Sequence, residues 1–393
     1  MTESDVNDKT NKTLAILLQW RVRGQFLVQS PDDEATADIN ASFKQEGDRN
    51  NRTLSGKGTI KYSEKHDTDS HNSQKKPLSL LQTKKSITKW LPSLKLSDDG
   101  KNIVTLVTAY INIGTFMNDD HRAFYSPELY RTWMTAFSKI ENPVVAYMND
   151  ENDIKHFKAI RANISSSATK IIRVSKDSLW SFSLYHDIQT IFQNPGYPKH
   201  SPNTYVPAYS CVMHSKYEFV AMALKSNPFN TKYFAWIDIG HFRDLTQNLN
   251  ISSFSLDLPP RFDPQRVAYG EVFSFLSHTE EEVFKRSRVW VSSSFFIAKA
   301  STMKQWILQY VNSVQKYISQ SLMNTDQQVI YCMHFHRIDL EVEIQTYINT
   351  GHYDPWFQLG YLCKEQGELK KSSAKTLSDK NIQAKISKPS IVI

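Results

Sequence analysis

An apolar run that ends in one acid constrains the fold of this chain more than any other feature. Residues 232–243 read KYFAWIDIGHFR, so that the apolar stretch closes on Asp238, with Gly240 two residues later. Buried parallel strands are continuous apolar runs, and ligands of open α/β sheets bind beyond the carboxyl ends of such strands. Asp238 therefore has a position typical of ligand contact, although Asp and Gly are also common where a turn begins.

The residues upstream of this run favour the strand interpretation. Residues 209–224 carry apolar side chains at helical spacing, and Asn227-Pro228 ends this helix because proline disfavours helix at the residue before it. We therefore predict a helix, a proline turn and a buried strand that leads to Asp238.

Strands and helices alternate through the rest of the central region. Apolar runs rich in β-branched residues predict strands, and apolar positions three or four residues apart predict helices. The predicted strands lie at 103–111, 144–148, 171–174, 267–275 and 289–298, and the predicted helices at 126–140, 150–160, 179–192 and 301–318. This alternation predicts an α/β domain over residues 100–363, with a mixed, mainly parallel sheet and helices on both faces.

The two ends of the chain differ from this central region in composition. Residues 1–99 are rich in Asp, Lys, Ser, Thr and Asn, and residues 364–393 have the same polar character. Such segments bury too little apolar surface to offset the entropy lost on ordering. We therefore predict a disordered N-terminal region and a disordered basic tail.

The positive charge lies mostly in these two ends. The formal net charge is +7, of which residues 101–363 contribute +1. A protein that binds the phosphate backbone of nucleic acid needs a basic surface on its folded part, so we expect no nucleic-acid partner.

Composition also bears on compartment and covalent links. The apolar cluster at residues 14–18 is far shorter than the ~20 residues that cross a bilayer, and it lacks the flanks of a secretory signal. We expect a soluble chain and assign no compartment. Three cysteines, Cys211, Cys332 and Cys363, have no Cys-x-x-Cys spacing, although two of them could form a disulfide.

Around Asp238 the residues resemble a known family, the HtrL/YibB-like proteins. The block that carries the resemblance comprises Ser215-Lys216, Asn227-Pro228-Phe229, the sequence YFAWIDIG at 233–240, and Arg243. Supporting similarity runs from VTLVTAY at 104–110 to DPWF at 354–357, about 250 residues. The family is similar to glycosyltransferases of the GT-A type, so the resemblance implies a GT-A-like fold and a nucleotide-sugar donor.

The resemblance implies a site centred on Asp238. In GT-A enzymes a strand-end carboxylate holds Mg²⁺ or Mn²⁺, which neutralises the departing diphosphate. We therefore expect Asp238 to be catalytic and to hold this metal. Many such enzymes carry Asp-x-Asp, whereas Gly240 stands at the second acidic position here, which puts the metal requirement in doubt.

Five further residues are candidates for contact with the donor, namely Thr108, Tyr110, Lys216, Gly240 and Arg243. Thr108 and Tyr110 end the first strand, where the base and ribose bind in such folds. Lys216 has the reach to contact a diphosphate oxygen, or is simply a solvated lysine. Arg243 either clamps phosphate or pairs with Asp238.

Asp326 is the second catalytic candidate. Thr325-Asp326 opens a predicted helix, so that capping alone explains the acid. The resemblance instead places the Asp-Gln pair near the acceptor, where a base or a positioning carboxylate is needed. His334 and His336 are better explained as surface or core-edge residues than as metal ligands.

One departure from the family weakens the enzyme interpretation. The sequence SSSFF at 292–296 replaces a glycine-rich turn, and glycine permits closer backbone approach to a ligand than serine does.

The function that the resemblance implies is that of a glycosyltransferase that acts on an unknown hydroxyl or glycan acceptor. The alternative is a non-catalytic relative that binds carbohydrate or protein in the same cleft.

Overall fold

The computed structural model describes residues 87–96, 99–117, 124–247, 251–335 and 340–386. Strands within these residues are β1 (Lys101–Tyr110), β2 (Phe116–Met117), β3 (Phe124–Tyr125), β4 (Val144–Met148), β5 (Thr169–Arg173), β6 (Thr231–Ile237), β7 (Val267–Glu271), β8 (Val291–Lys299) and β9 (Ile344–Tyr347).

Helices within the same residues are α1 (Ile87–Trp90), α2 (Pro127–Met134), α3 (Glu151–Ile160), α4 (Trp180–Ser183), α5 (Tyr185–Gln193), α6 (Pro207–Ser226), α7 (Glu280–Lys285), α8 (Ala300–Ser319), α9 (Asp326–Phe335) and α10 (Gln358–Ile386). None of these helices combines the length and apolar composition that a bilayer crossing needs.

Seven strands form the central sheet, in the order β5-β4-β1-β6-β8-β7-β9. The first four of this order are mutually parallel, β8 is antiparallel to both of its neighbours, and β9 is parallel to β7. The predicted mixed, mainly parallel sheet is therefore confirmed. The strand predicted at 144–148 is reproduced in full as β4, while the others shift by a few residues at their ends.

Alternate residues of β6 face opposite sides of the sheet. Phe234 and Trp236 pack into a core that also holds buried side chains of α6 and α8, such as Tyr217 and Trp306. Ala235 and Ile237 pack into a second core, which includes side chains from α3 and α10. Helices thus cover both faces, and a strand buried on both faces is an apolar run, as residues 233–237 of β6 are.

Local signals explain how the helices around β6 begin and end. Ser126 caps α2 by accepting a hydrogen bond from the Leu129 amide at 3.3 Å, and proline follows at the first helical position. The helix predicted over 126–140 changes at Thr135 into a 3₁₀ helix that ends at Lys139. At the end of α6, Asn227 has φ of 29°, and its side chain accepts from the Thr231 amide at 3.0 Å. This turn leads the chain into β6.

Ordered structure reaches into both predicted disordered ends. Most of residues 1–99 lie outside the described residues, but Ile87 and Leu91 are buried in the core on the α6 side. The predicted tail is also helical as far as Ile386, as part of α10. Two ion pairs, Lys370–Asp257 and Lys371–Glu141, attach this helix to the domain, which composition alone does not reveal.

Candidate functional site

Asp238 lies at the carboxyl end of β6, as the sequence predicts. Its amide donates to the Ser294 carbonyl of β8 at 2.8 Å, which extends the strand pairing by one residue. One carboxylate oxygen, Oδ1, accepts a hydrogen bond from Trp236 Nε1 at 2.7 Å. The side chain is 34 % exposed, so the carboxylate is held through Oδ1 on its protein side and remains accessible to solvent on the other.

Lys216 lies in α6 directly behind this acid. It is 2 % exposed, and its Nζ lies 3.3 Å from Asp238 Oδ1 and 3.3 Å from Asp326 Oδ2. The ammonium also donates to the carbonyl and the hydroxyl of Ser293, both at 3.2 Å. The alternative of a solvated lysine is therefore wrong, and the hydrogen-bonding capacity of the ammonium is used within the protein.

Asp326 is the first residue of α9 and is 1 % exposed. Neither carboxylate oxygen has a hydrogen-bond partner of good geometry within the described residues, so the acid does not cap its helix. The capping contact is made instead by Gln328, whose Oε1 accepts from the Thr325 amide at 3.2 Å and from the Thr325 hydroxyl at 2.8 Å. The structure thus places Asp326 beside Lys216, and capping is not its explanation; a catalytic role for Asp326 stays a prediction.

Burial sets the electrostatics of this cluster. It raises the pKa of Asp326, which the charge of Lys216 partly offsets and the charge of Asp238 reinforces. Burial also acts to lower the pKa of Lys216, but the two nearby carboxylates outweigh it, and the net shift is upward. Lys216 is consequently an ammonium at neutral pH, held between two acids that come from different elements.

Ser292, Ser293 and Ser294 lie within β8, beside β6, and not in a turn. The Ser292 and Ser294 hydroxyls each donate to the Trp356 carbonyl at 2.7 Å. Ser293 provides two of the four contacts of the Lys216 ammonium. The serines that depart from the family pattern therefore form part of the surroundings of Lys216 and Trp356, a role that the sequence analysis did not predict.

His241 follows the acid by three residues and is buried. Its Nδ1 lies 3.1 Å from Ser294 Oγ, while its Nε2 has no partner within the described residues. A Cβ added to Gly360 would lie 2.0 Å from this Nε2, so α10 covers the imidazole directly. Burial lowers the pKa of His241 to about 3, so the ring is uncharged at neutral pH and packs against α10.

Arg243 lies between two aromatic rings. Its guanidinium carbon is 5.4 Å from the ring centroid of Trp133 and 4.5 Å from that of Phe357. No carboxylate within the described residues lies at ion-pair distance, so Arg243 does not pair with Asp238. Gly240 contacts the same tryptophan, because a Cβ at this position would lie 2.8 Å from Trp133 Cε3.

Thr108 and Tyr110 are placed differently at the end of β1. Thr108 has no exposed surface, and its hydroxyl has no partner within the described residues. Tyr110 is 7 % exposed, and its ring lies 4.9 Å from that of Tyr130. The structure therefore brings Tyr110 to the edge of an aromatic cluster and leaves Thr108 inside the sheet.

This aromatic cluster comprises Tyr110, Tyr125, Tyr130 and Trp133, with Tyr209 beyond Phe116. Burial raises the pKa of Tyr209 well above its usual value, and the charges of Asp238 and Asp326 add to this effect. The tyrosine hydroxyls make no hydrogen bond to another described residue, and they are not sealed from solvent. Sequence reasoning named Tyr110 and missed the other tyrosines, since isolated aromatics carry no spacing signal.

The described residues do not fit a protein-held divalent ion. No group of three or more His, Cys, Asp or Glu within them has a suitable arrangement. His334 packs against Phe275 and Trp290, as the core-edge explanation requires, and His336 lies outside the described residues. An ammonium 3.3 Å from Asp238 also disfavours a second cation there.

Two surface cavities lie away from Asp238. One, of about 420 Å³, is bordered by Leu94 and Lys304 near the start of α8. The other, of about 400 Å³, is bordered by Tyr197 and Leu322. Neither has Asp238, Lys216 or Asp326 in its lining.

Comparisons with known proteins place the matched region on this same domain. A family model described as "Bacterial protein of unknown function (HtrL_YibB)" matches residues 102–359. A solved structure, that of 4-diphosphocytidyl-2C-methyl-D-erythritolsynthase from Anaerococcus prevotii DSM 20548, is similar with 9 % identity and a TM-score of 0.27. The similarity covers 66 % of this chain and 96 % of that one. No curated protein sequence matches the chain.

Proposed function

The chain belongs to the HtrL/YibB family, and we propose that it transfers a sugar from a nucleotide-diphosphate sugar to a hydroxyl acceptor at Asp238. The observation that supports this most is the partly exposed carboxylate at the carboxyl end of β6, backed by a buried lysine and a second buried acid. Ligands of open α/β sheets bind at such strand ends.

Asp238 is the carboxylate that acts on the substrate in this proposal. The acceptor oxygen attacks the anomeric carbon, and the bond from that carbon to the diphosphate breaks with its electron pair on the leaving group. Asp238 takes the acceptor proton, as a general base within hydrogen-bond reach does. Asp326 is too deeply buried to touch an acceptor, so we assign it, with Lys216, to positioning Asp238.

Arg243 provides the charge that the leaving diphosphate needs. Its guanidinium has no carboxylate partner within the described part of the chain, and the flanking rings of Trp133 and Phe357 restrict its motion. A guanidinium can donate two parallel hydrogen bonds to a phosphate, which makes it suited to a diphosphate. The partly buried tyrosines beside Tyr110 offer ring faces to the base and ribose, and their hydroxyls have no partner within the described residues.

A thermal-shift panel of nucleotide-diphosphate sugars tests the proposal first. A ligand that binds only the native state at 100 times its Kd adds about 2.7 kcal/mol to the stability, which is readily measured. Release of nucleoside diphosphate is then followed for wild type, Asp238→Asn and Asp177→Asn, the last being an exposed acid that follows β5, three strands from β6 in the sheet. We expect Asp238→Asn to reduce turnover roughly 100-fold or more and Asp177→Asn to retain it.

Normal turnover in Asp238→Asn would contradict the proposal. Binding without turnover would instead favour the second candidate, a non-catalytic protein that binds carbohydrate. One feature favours that candidate: the partly buried rings of Tyr125, Tyr130 and Trp133, with tyrosine hydroxyls that have no partner within the described residues, suit a sugar surface whether or not transfer follows.

A further inference from the structure

We infer that the Lys216 ammonium takes the place of a divalent cation between Asp238 and Asp326, so that this site holds no metal ion of its own. The inference deepens the proposed function and rests on it for any statement about sugar transfer. Its geometrical basis, however, is independent of which ligand the site binds.

The surroundings of the ammonium are those of a cation site. Four oxygen atoms lie around Lys216 Nζ, two from the carboxylates at 3.3 Å and two from Ser293 at 3.2 Å. Carboxylate, carbonyl and hydroxyl oxygens are also the ligands that Mg²⁺ and Ca²⁺ prefer. The oxygens here are spaced for an ammonium, since bound Mg²⁺ requires about 2.0–2.1 Å.

The ammonium is also fixed in this position. Lys216 extends from the middle of α6, a helix packed against the sheet, and its side chain is 3 % exposed. Asp326 is equally enclosed at the start of α9, and Asp238 Oδ1 is held by Trp236 Nε1 at 2.7 Å. If the lysine moved aside, the buried carboxylate of Asp326 would be left without a partner. Breaking a buried ion pair in this way costs several times more free energy than breaking an exposed one.

A divalent ion at Asp238 would therefore meet two obstacles. It would lie within a few ångströms of the fixed positive charge of Lys216. Asp326 could not serve as its second ligand, because this carboxylate already pairs with the Lys216 ammonium. The described residues offer no cluster of His, Cys, Asp or Glu that could replace the missing ligand. Removal of the lysine charge should reverse both effects. The two carboxylates and the Ser293 oxygens would then surround a position without a cation, and the negative charge of the carboxylates would be unbalanced.

The test is a titration of the protein alone with Mn²⁺, followed by electron paramagnetic resonance of the free ion. Wild type, Lys216→Gln and the double variant Lys216→Gln/Asp238→Asn are compared, with folding checked by circular dichroism. We expect no saturable binding by wild type and a gain of at least about tenfold in affinity for Lys216→Gln. The double variant should lose that gain.

Two results would overturn the inference. One is stoichiometric Mn²⁺ binding by wild type that Asp238→Asn abolishes. The other is a folded Lys216→Gln variant that gains no Mn²⁺ site. If Lys216→Gln does not fold, wild type compared with Asp238→Asn decides the question alone. Because the titration contains no nucleotide or sugar, a failure of the sugar-transfer proposal leaves its result unchanged.

Discussion

The Lys216 ammonium lies 3.3 Å from a carboxylate oxygen of Asp326, although 110 residues separate them along the chain and both are almost fully buried. This contact joins the middle of α6 to the start of α9 across the carboxyl end of the sheet. The partly exposed Asp238 shares the same ammonium, so the orientation of the proposed catalytic acid depends on two residues that solvent does not reach.

We predict that Lys216→Met destabilises the protein by about 3–5 kcal/mol, because it leaves the buried carboxylate of Asp326 uncompensated. The double variant Lys216→Met/Asp326→Leu should recover much of this loss, since it removes both charges. Urea unfolding measures each value. Lys285→Met is the control: it removes an exposed pair with Glu281 and should cost less than about 1 kcal/mol. Equal losses in Lys216→Met and the control would contradict the prediction.

Glu218 predicts a pH dependence of stability. It lies buried in α6 and accepts from the Trp180 amide at 2.9 Å, and burial raises its pKa from 4.5 to about 7. The folded state therefore binds more protons than the unfolded state between these values. The associated stability is fully present below pH 4.5 and is lost as the pH rises through about 7.

In Glu218→Gln this loss should vanish. From pH 5 to pH 8 the free energy of unfolding of the variant should rise relative to wild type, by up to about 3 kcal/mol. The measurement is urea unfolding of both proteins at several pH values. Parallel profiles would show that Glu218 titrates at the same pH in both states.

Gly360→Ala should destabilise the protein, although Gly to Ala in a helix usually stabilises by about 1 kcal/mol. The new Cβ would lie 2.0 Å from Nε2 of the buried His241, so the imidazole must shift, at a cost of about 1–3 kcal/mol. Thermal or urea unfolding measures this cost.

Two further variants test whether His241 is the cause. The cost of Gly360→Ala should be much smaller when His241 is already alanine. Ser373→Ala, on an exposed part of the same helix, should change stability by less than about 0.5 kcal/mol. A Gly360→Ala variant as stable as wild type would mean that α10 does not press on the imidazole.

The three cysteines should be unreactive in the native protein. Cys211, Cys332 and Cys363 are free and buried, and burial raises the pKa of each thiol, that of Cys211 to about 12. The thiolate is the reactive form, so an aromatic disulfide reagent should label none of them quickly. In denaturant all three should react. Rapid labelling of one thiol in native protein would contradict the placement of that residue.

The strand that carries Asp238 was predictable because its burial on both faces requires an unbroken apolar run. The residues that surround Asp238 could not be predicted in the same way. A lysine within a helix is usually solvated, and the sequence contains no sign that Lys216 meets Asp326 behind the sheet. Such contacts depend on how separate elements pack together, which no local pattern records.

The same limitation applies to the serines of β8. The strand predicted over 289–298 contains SSSFF and is confirmed as β8, but comparison with the family interpreted these serines only as the loss of a glycine-rich turn. As a strand antiparallel to β6, it presents hydroxyls to Lys216 and to the Trp356 carbonyl. Recognition of that role requires the partner strand, whereas the capping of α2 by Ser126 needs only three neighbouring residues.

Trp356 is attached to β8 through its carbonyl, so the segment that carries Trp356 and Phe357 joins the site late during synthesis. Strand β6 and its acid leave the ribosome well before Phe357, which flanks Arg243 on one side. A growing chain can thus already hold its carboxylate while its arginine still lacks one of the two rings that restrain it. In the proposed function, the arginine that contacts the diphosphate therefore has both flanking rings only once the chain has been made as far as Phe357.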